Sequence, residues 1–220
     1  MKKLHVTEGS LFFNMAVIGG FLGGYAVIRC DILASSQTVN VIDMLFGFYS
    51  GNIFSALVHL GGLALFAAAI FIVSWLKHRT RLKNTRIFAL AMEAAAVIAV
   101  GFIPDTDHMQ LVLYPLFFTM VMHWDAMRGA NGYTSASVFS SNNFYQAISG
   151  LADYTFTRDD KRLRHAAFFG CSLLSFYIGA TAAYWSFRLA HNRAIWFCLI
   201  ILAAAVFQEI RLRAEKHECS

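Results

Sequence analysis

Two short polar stretches interrupt apolar sequence and carry side chains that could bind a solute or a cation. In residues 33–43, Thr38, Asn40 and Asp43 offer a hydroxyl, an amide and a carboxylate. Asn40 and Asp43 are three residues apart, so on a helix they share one face. Residues 135–146 form a similar stretch without a carboxylate. The predicted substrate-binding residues are Gln37, Thr38, Asn40, Asp43, Ser141 and Asn143.

The same side chains also have a structural interpretation. Serine, threonine and asparagine cap helix ends and bond to freed backbone groups, and one residue can do both. The sequence contains no recognisable nucleophile–base pair, phosphate-binding glycine loop or metal-ligand spacing. We therefore expect no enzyme activity, no cofactor and no metal site, and the four unpaired cysteines predict no disulfide.

Ionisable groups within apolar segments are the other candidates, because such groups are costly in a membrane and usually functional. Glu93 lies near the middle of one apolar segment, and His59 lies within another. Glu93 is interpreted as a proton or cation relay or as the partner of a buried histidine such as His59. Asp43, Glu93 and His59 are the predicted coupling residues. His123 and Asp125, near the end of a segment, are expected at the membrane interface.

The composition indicates a membrane protein. Charged residues make up 14% of the 220 residues and hydrophobic residues 58%, whereas soluble domains carry about 25% charged residues. A spanning helix needs about 20 mostly apolar residues. Six segments qualify or come close: 11–28, 53–76, 87–103, 109–127, 166–187 and 194–210. Few residues lie outside them, so we expect one membrane domain over residues 1–220.

The distribution of lysine and arginine predicts the topology. With the N-terminus inside, fifteen basic residues lie on the inner side and three, Arg29, Arg188 and Arg193, on the outer side. Basic residues favour cytoplasmic loops, so both termini are predicted to be cytoplasmic. This asymmetry explains the net charge of +5 without a nucleic-acid partner.

The order of segments predicts two inverted repeats. Residues 39–50 and 144–154 are apolar but too short to span, and each follows a polar stretch. Each half then contains a helix, a polar break, a short half-helix and two helices. Repeat 1 covers about residues 11–104 and repeat 2 about 109–212. Three crossings per half invert the second repeat, and paired breaks in such repeats point to a transporter binding site.

Four glycines on the first segment, Gly19, Gly20, Gly23 and Gly24, favour close approach of another helix. Contact with a substrate is the alternative use of this surface.

The two breaks also resemble the YoaK-type membrane proteins, a bacterial family defined by a domain of unknown function. The first-half pattern appears as the run 19–25, Gly-Gly-Phe-Leu-Gly-Gly-Tyr, followed by Gln37-Thr38-Val39-Asn40. The second-half pattern appears as Asn131-Gly132-Tyr133 through Ser141-Asn142-Asn143. Gly23 stands where the family pattern has aspartate, and Val39 and Asn142 replace its signature glycines. The resemblance implies the fold and a bacterial inner-membrane location but carries over no activity.

The sequence thus predicts an all-α polytopic protein with six transmembrane helices. The leading hypothesis is a transporter of a small solute of unknown identity, coupled to protons through Asp43 or Glu93. One alternative is a membrane binding or accessory protein that does not transport. A second alternative is an intramembrane enzyme acting on a lipid-like substrate. The lipid bilayer is the expected partner, and a homo-oligomer is compatible with the sequence.

Overall fold

A computed structural model describes residues 6–31, 36–79, 84–104 and 109–218. The start of the first polar stretch, residues 33–35, lies outside these ranges. Nine α-helices occur in the described chain: α1 Glu8–Cys30, α2 Gln37–Tyr49, α3 Ile53–Arg79, α4 Thr85–Phe102, α5 Met109–Val112, α6 Tyr114–Ala126, α7 Ser141–Thr157, α8 Asp160–Ala190 and α9 Cys198–Glu218. A 3-10 segment, His191–Phe197, joins α8 to α9.

The all-α prediction is confirmed apart from one small hairpin. Strands β1 Gly129–Ala130 and β2 Tyr133–Thr134 pair antiparallel within the second polar region. The turn between them needs left-handed backbone, which Asn131 and Gly132 supply. The predicted fourth segment is split into α5 and α6 around Leu113, next to Pro115 at the start of α6. The two short elements are helices α2 and α7.

Four helical stretches are long and apolar enough to cross a membrane: Glu8–Cys30, Ile53–Arg79, Thr85–Phe102 and the continuous Asp160–Lys216, which contains α8 and most of α9. Large apolar side chains such as Phe71, Leu174 and Ile200 are exposed on these helices. A soluble protein would avoid so extensive an apolar surface. The fold is therefore compatible with a membrane protein.

The helices form two three-helix groups, each drawing on both halves of the chain. Bundle A consists of α1, α7 and α8, with α7 and α1 both packed on α8. Bundle B consists of α2, α3 and α6, with α2 and α6 both packed on α3. Helix α4 packs on α6, helix α9 packs on α1, and α4 and α9 contact each other. This pair links the two bundles.

Glycines bring α1 and α8 of bundle A into backbone contact. A Cβ atom at Gly20 would overlap the Phe176 carbonyl oxygen, and one at Gly179 would overlap the Val17 carbonyl oxygen. The helices run parallel, because Phe12 stacks on Phe168 at one end and Tyr25 meets Phe187 at the other. Close helix approach through small residues is a typical device of membrane proteins.

In bundle B, side chains rather than backbone separate α3 from α6. A Cβ atom at Gly61 would lie 2.5 Å from the Tyr114 hydroxyl, and one at Gly62 would lie 3.5 Å from the Phe117 ring. These helices are also parallel, with Lys77 near the end of α3 paired to Asp125 near the end of α6.

Candidate functional site

A cavity of about 1110 Å³ lies between bundle A and bundle B. Helices α1 and α8 form one side of its wall with Gly24 and Ala180, among other residues. On the other side lie Phe66 of α3 and Trp124 of α6. The volume slightly exceeds the range of about 300–1,000 Å³ typical of small-molecule sites.

Both polar stretches contribute to the wall of this cavity. Ser36, Gln37 and Thr38 come from the start of α2, and Ser140, Ser141 and Asn142 come from the start of α7. The structure therefore brings together hydroxyl and amide groups that are about a hundred residues apart in sequence. Of the six predicted binding residues, Gln37, Thr38 and Ser141 line the cavity.

Asn143 lies outside the cavity wall and holds the second polar region together. Its Oδ1 accepts a hydrogen bond from the Ser135 hydroxyl at 2.8 Å. Its Nδ2 lies 2.9 Å from the Ala136 carbonyl, 3.0 Å from the Phe139 carbonyl and 3.1 Å from the Ser172 hydroxyl. Because the amide is 2% exposed and these bonds use its donors and its acceptor, its observed role is the structural one.

Asn40, the corresponding asparagine of the first half, is also 2% exposed. Its Nδ2 has no hydrogen-bond partner within the described part of the chain. It borders a second, small cavity of about 10 Å³, whose wall includes His59, Gln110 and Tyr114. A space of this size holds about one water molecule. Asn40 and His59 are thus neighbours at a polar site beneath α2, apart from the large cavity.

Asp43 is half-buried on α2 and is not among the residues that line the large cavity. Asp43 and Asn40 are three residues apart on α2, as expected, but Asn40 is buried inside the protein. The structure therefore separates Asp43 from the hydroxyl and amide groups of the cavity wall.

Glu93 is paired with His123, which joins α4 to α6. Both carboxylate oxygens lie close to His123 Nδ1, at 2.9 and 3.0 Å, and both side chains are 0% exposed. Glu93 thus has a buried histidine partner, as one interpretation of the sequence held, but this partner is His123 and not His59. His123, which was expected at the membrane interface, is enclosed by helix packing. Its Nε2 has no partner among the described atoms.

Charged residues at the end of the bundle near the termini form ion pairs. Glu209 of α9 is 3% exposed and is bonded by Arg213 at 2.7 Å and Arg86 of α4 at 3.3 Å. Arg86 also donates to the Ala126 carbonyl at the end of α6. These bonds tie α4, α6 and α9 together at one end of the molecule.

Comparison with known proteins gives a family but no function. Residues 11–208 match the family described as "Protein of unknown function (DUF1275)". The chain belongs to the DUF1275 family. The YoaK-type resemblance of the two breaks is consistent with this assignment. No curated protein and no solved structure matches the chain significantly.

In this DUF1275 protein the cavity wall offers hydroxyl, amide and aromatic groups. Within the described ranges, no group of three histidine, cysteine, aspartate or glutamate side chains could hold a metal ion. The carboxylate–histidine pair is sealed from the cavity by its complete burial. The wall can therefore hold a solute through hydrogen bonds and ring contacts.

Sequence reasoning missed the aromatic part of the site in this DUF1275 protein. Phe176, Tyr177 and Tyr184 of α8 line the cavity, as do Trp124 and Phe139, which form an edge-to-face pair with ring centroids 5.2 Å apart. Residues 176, 180 and 184 share one face of α8. That spacing is the signal that could have found them, but the exposed side of α8 that faces away from the cavity is apolar as well.

Proposed function

We propose that this DUF1275 protein moves a small solute across the bacterial inner membrane. Its six predicted transmembrane segments act as two inverted repeats in this proposal. The main observation behind this proposal is the cavity between bundle A and bundle B. One polar stretch from each half of the chain lines this cavity. A binding site shared by two exchangeable halves is what alternating access requires.

The composition of the bundles supports the inverted repeat. Helices α1, α7 and α8 of bundle A correspond in order to α6, α2 and α3 of bundle B. In bundle A, α1 of the first half runs parallel to α8 of the second half, and in bundle B, α6 of the second half runs parallel to α3 of the first half. The short helix of each bundle packs on the long one, α7 on α8 and α2 on α3. A rocking motion of one bundle against the other would open the cavity on alternate sides.

Contacts at the chain ends support the proposed orientation. Lys216 of α9 bonds Glu8 of α1 at 2.8 Å, so both ends of the chain approach the same end of the bundle. At this end of the bundle, Lys77 also pairs with Asp125 of α6, and Arg86 pairs with Glu209 of α9. The excess of basic residues favours the cytoplasm for this end.

Two observations favour transport over the alternatives. An accessory subunit would need a free docking face, whereas Gly19 of α1 is covered by the Ser137 backbone, and Gly20 and Gly24 contact α8. A lipid-acting enzyme would need a carboxylate or histidine group open to lipid, and Glu93 and His123 are fully buried. We therefore infer transport rather than accessory binding or catalysis.

Proton coupling is the second part of the proposal. The Glu93–His123 pair joins α4, which does not line the cavity, to α6, which does. Movement of α6 against α4 would separate the pair and open it to water, so that proton uptake and bundle movement become linked. Cys198 of α9 is the titratable group facing Glu93 from a third helix. Asp43 and His59 remain the other predicted coupling residues.

Single-cysteine labelling tests alternating access. Ser141→Cys in a chain lacking its exposed native cysteines is placed in sealed vesicles and treated with a membrane-impermeant maleimide from either side. We expect labelling from both sides, whereas the control Thr155→Cys, exposed near the end of α7, reacts from one side. Labelling of Ser141→Cys from one side only, under all conditions, would contradict transport.

The same assay tests coupling. The ratio of labelling from the two sides cancels the intrinsic pH dependence of the thiol. This ratio should vary with pH in the parent chain and lose that variation in Glu93→Gln. The control Asp153→Asn removes an exposed carboxylate on α7 and should keep the pH variation of the labelling ratio. An unchanged pH profile in Glu93→Gln would exclude Glu93 as the coupling group.

A further inference from the structure

The charges around the large cavity define the class of solute. Of the described residues in its wall, Arg128 is the single charged side chain, and none is a carboxylate. Arg128 is mostly exposed and its guanidinium is bonded to Asp125, which also pairs with Lys77. The rest of the described wall has no charged side chain to balance an ionic solute, and an unbalanced charge is costly away from water.

Hydrogen-bonding groups are concentrated at the two helix starts. Gln37 and Thr38 represent the first half, and Ser141 and Asn142 the second. Thr38 and Asn142 are exposed towards the open space. Hydroxyl and amide groups both donate and accept, so they suit a solute that itself carries hydroxyl or amide groups.

Aromatic side chains form the rest of the binding surface. Tyr177 and Tyr184 of α8 are each 50% exposed, and Trp124 contributes to the wall from α6. Exposed rings in the cavity wall provide faces on which a flat ring or the carbon face of a sugar can stack. Groups of this kind on both bundles would contact one solute from two sides.

Taking the cavity as the solute site of the proposed transporter, we infer that the solute is an uncharged ring compound with several hydroxyl or amide groups. Nucleosides and sugars both have this chemistry. The inference rests on the proposed function for its site, but the binding measurement below does not require transport.

Binding of matched probes to the purified full chain tests the charge. Nicotinamide, nicotinate and 1-methylnicotinamide, which is methylated on the ring nitrogen, share one ring and are neutral, anionic and cationic, respectively. Uridine and D-glucose represent the nucleoside and sugar sources. The readouts are the melting temperature and the fluorescence of Trp124, with Trp124→Phe identifying that residue's signal.

We expect at least one neutral probe to raise the melting temperature and change the Trp124 signal, and both charged probes to bind at least tenfold more weakly. The stronger response, to uridine or to glucose, identifies the source. Equal or tighter binding of a charged probe, or binding of no probe in the panel, would overturn the inference.

A carboxylate introduced into the wall gives a second test. Asn142→Asp keeps the size of the side chain and should increase the affinity for the cation 1-methylnicotinamide at least fivefold. The control Asn52→Asp adds the same charge outside the cavity, where Asn52 caps α3 by accepting from the Ser55 amide, and should change nothing. Equal behaviour of the two variants contradicts the inference. Neutral binding together with one-sided labelling would reject transport while leaving the solute class intact.

Discussion

Bundle A and bundle B have corresponding helices but differ in how tightly these are held. In bundle A, α1 and α8 touch through backbone atoms at Gly20 and Gly179. Four hydrogen bonds of Asn143 fix the polar region before α7. In bundle B, side chains separate α3 from α6, and Asn40 keeps an amide nitrogen without a partner in the described chain.

This difference assigns different mechanical roles to the two halves. Closely packed and fully bonded elements open at a high free energy, whereas elements with fewer bonds move more readily. We therefore expect bundle A to act as the frame, and α2 of bundle B to move when the cavity opens. Two pairs of variants test this difference, and a third pair tests what stabilises the polar region of bundle A.

The largest difference is expected between the two asparagines. Asn143→Ala leaves the Ser135 and Ser172 hydroxyls and two carbonyl groups without their amide partner. Each unpaired buried group costs about 1–3 kcal/mol, so the free energy of unfolding should fall by about 3 kcal/mol or more. Asn40→Ala should lower it by less than about 1 kcal/mol, since its nitrogen has no bond to lose. Unfolding in a detergent titration measures both, and equal losses would remove the distinction between the bundles.

An intermediate difference is expected between two glycines. Gly20→Ala places a methyl group against the Phe176 carbonyl and should cost about 1–3 kcal/mol through overpacking. Gly62→Ala meets the Phe117 ring at an ordinary 3.5 Å, and alanine favours the helix by about 1 kcal/mol. The second variant should thus be neutral or stabilised. Melting temperatures that fall alike for both would mean that α3 and α6 are packed as tightly as α1 and α8.

The smallest difference concerns two serines in the same polar region. Ser135 donates to Asn143, whereas the Ser137 hydroxyl is buried without a partner in the described residues. Ser135→Ala should cost about 1 kcal/mol. Ser137→Ala removes an unsatisfied hydroxyl and should leave the melting temperature unchanged or raise it. A larger loss in Ser137→Ala would show that burial alone, rather than bonding to Asn143, stabilises the frame.

Much of the helical layout could be predicted from sequence, because long apolar runs and polar interruptions are strong signals. The short elements predicted at 39–50 and 144–154 are α2 and α7, each starting two or three residues earlier. The division of the fourth segment into α5 and α6 was missed, since Pro115 near a helix start is compatible with one continuous helix or with a new one.

The site was harder to predict, because it depends on which helix faces which. Glu93 and His123 are thirty residues apart, and only the packing of α4 on α6 makes them partners. Gln37, Thr38 and Ser141 were predicted since polar residues stand out in apolar sequence. Tyr177 and Tyr184 do not, because a helix that is apolar all round gives no periodic signal for the side facing a cavity.

The pairing of α1 with α8 has a consequence for biosynthesis. Gly20 of the first helix packs against Phe176 of α8. During synthesis Phe176 is added 156 residues after Gly20, so the glycine surface has no partner until then. At about 5–20 residues per second, that surface faces lipid or the insertion machinery for on the order of ten seconds. Bundle A cannot close until α8, in the last third of the chain, has been made, so a ribosome that stops before α8 leaves an N-terminal helix ready to associate with a neighbouring chain.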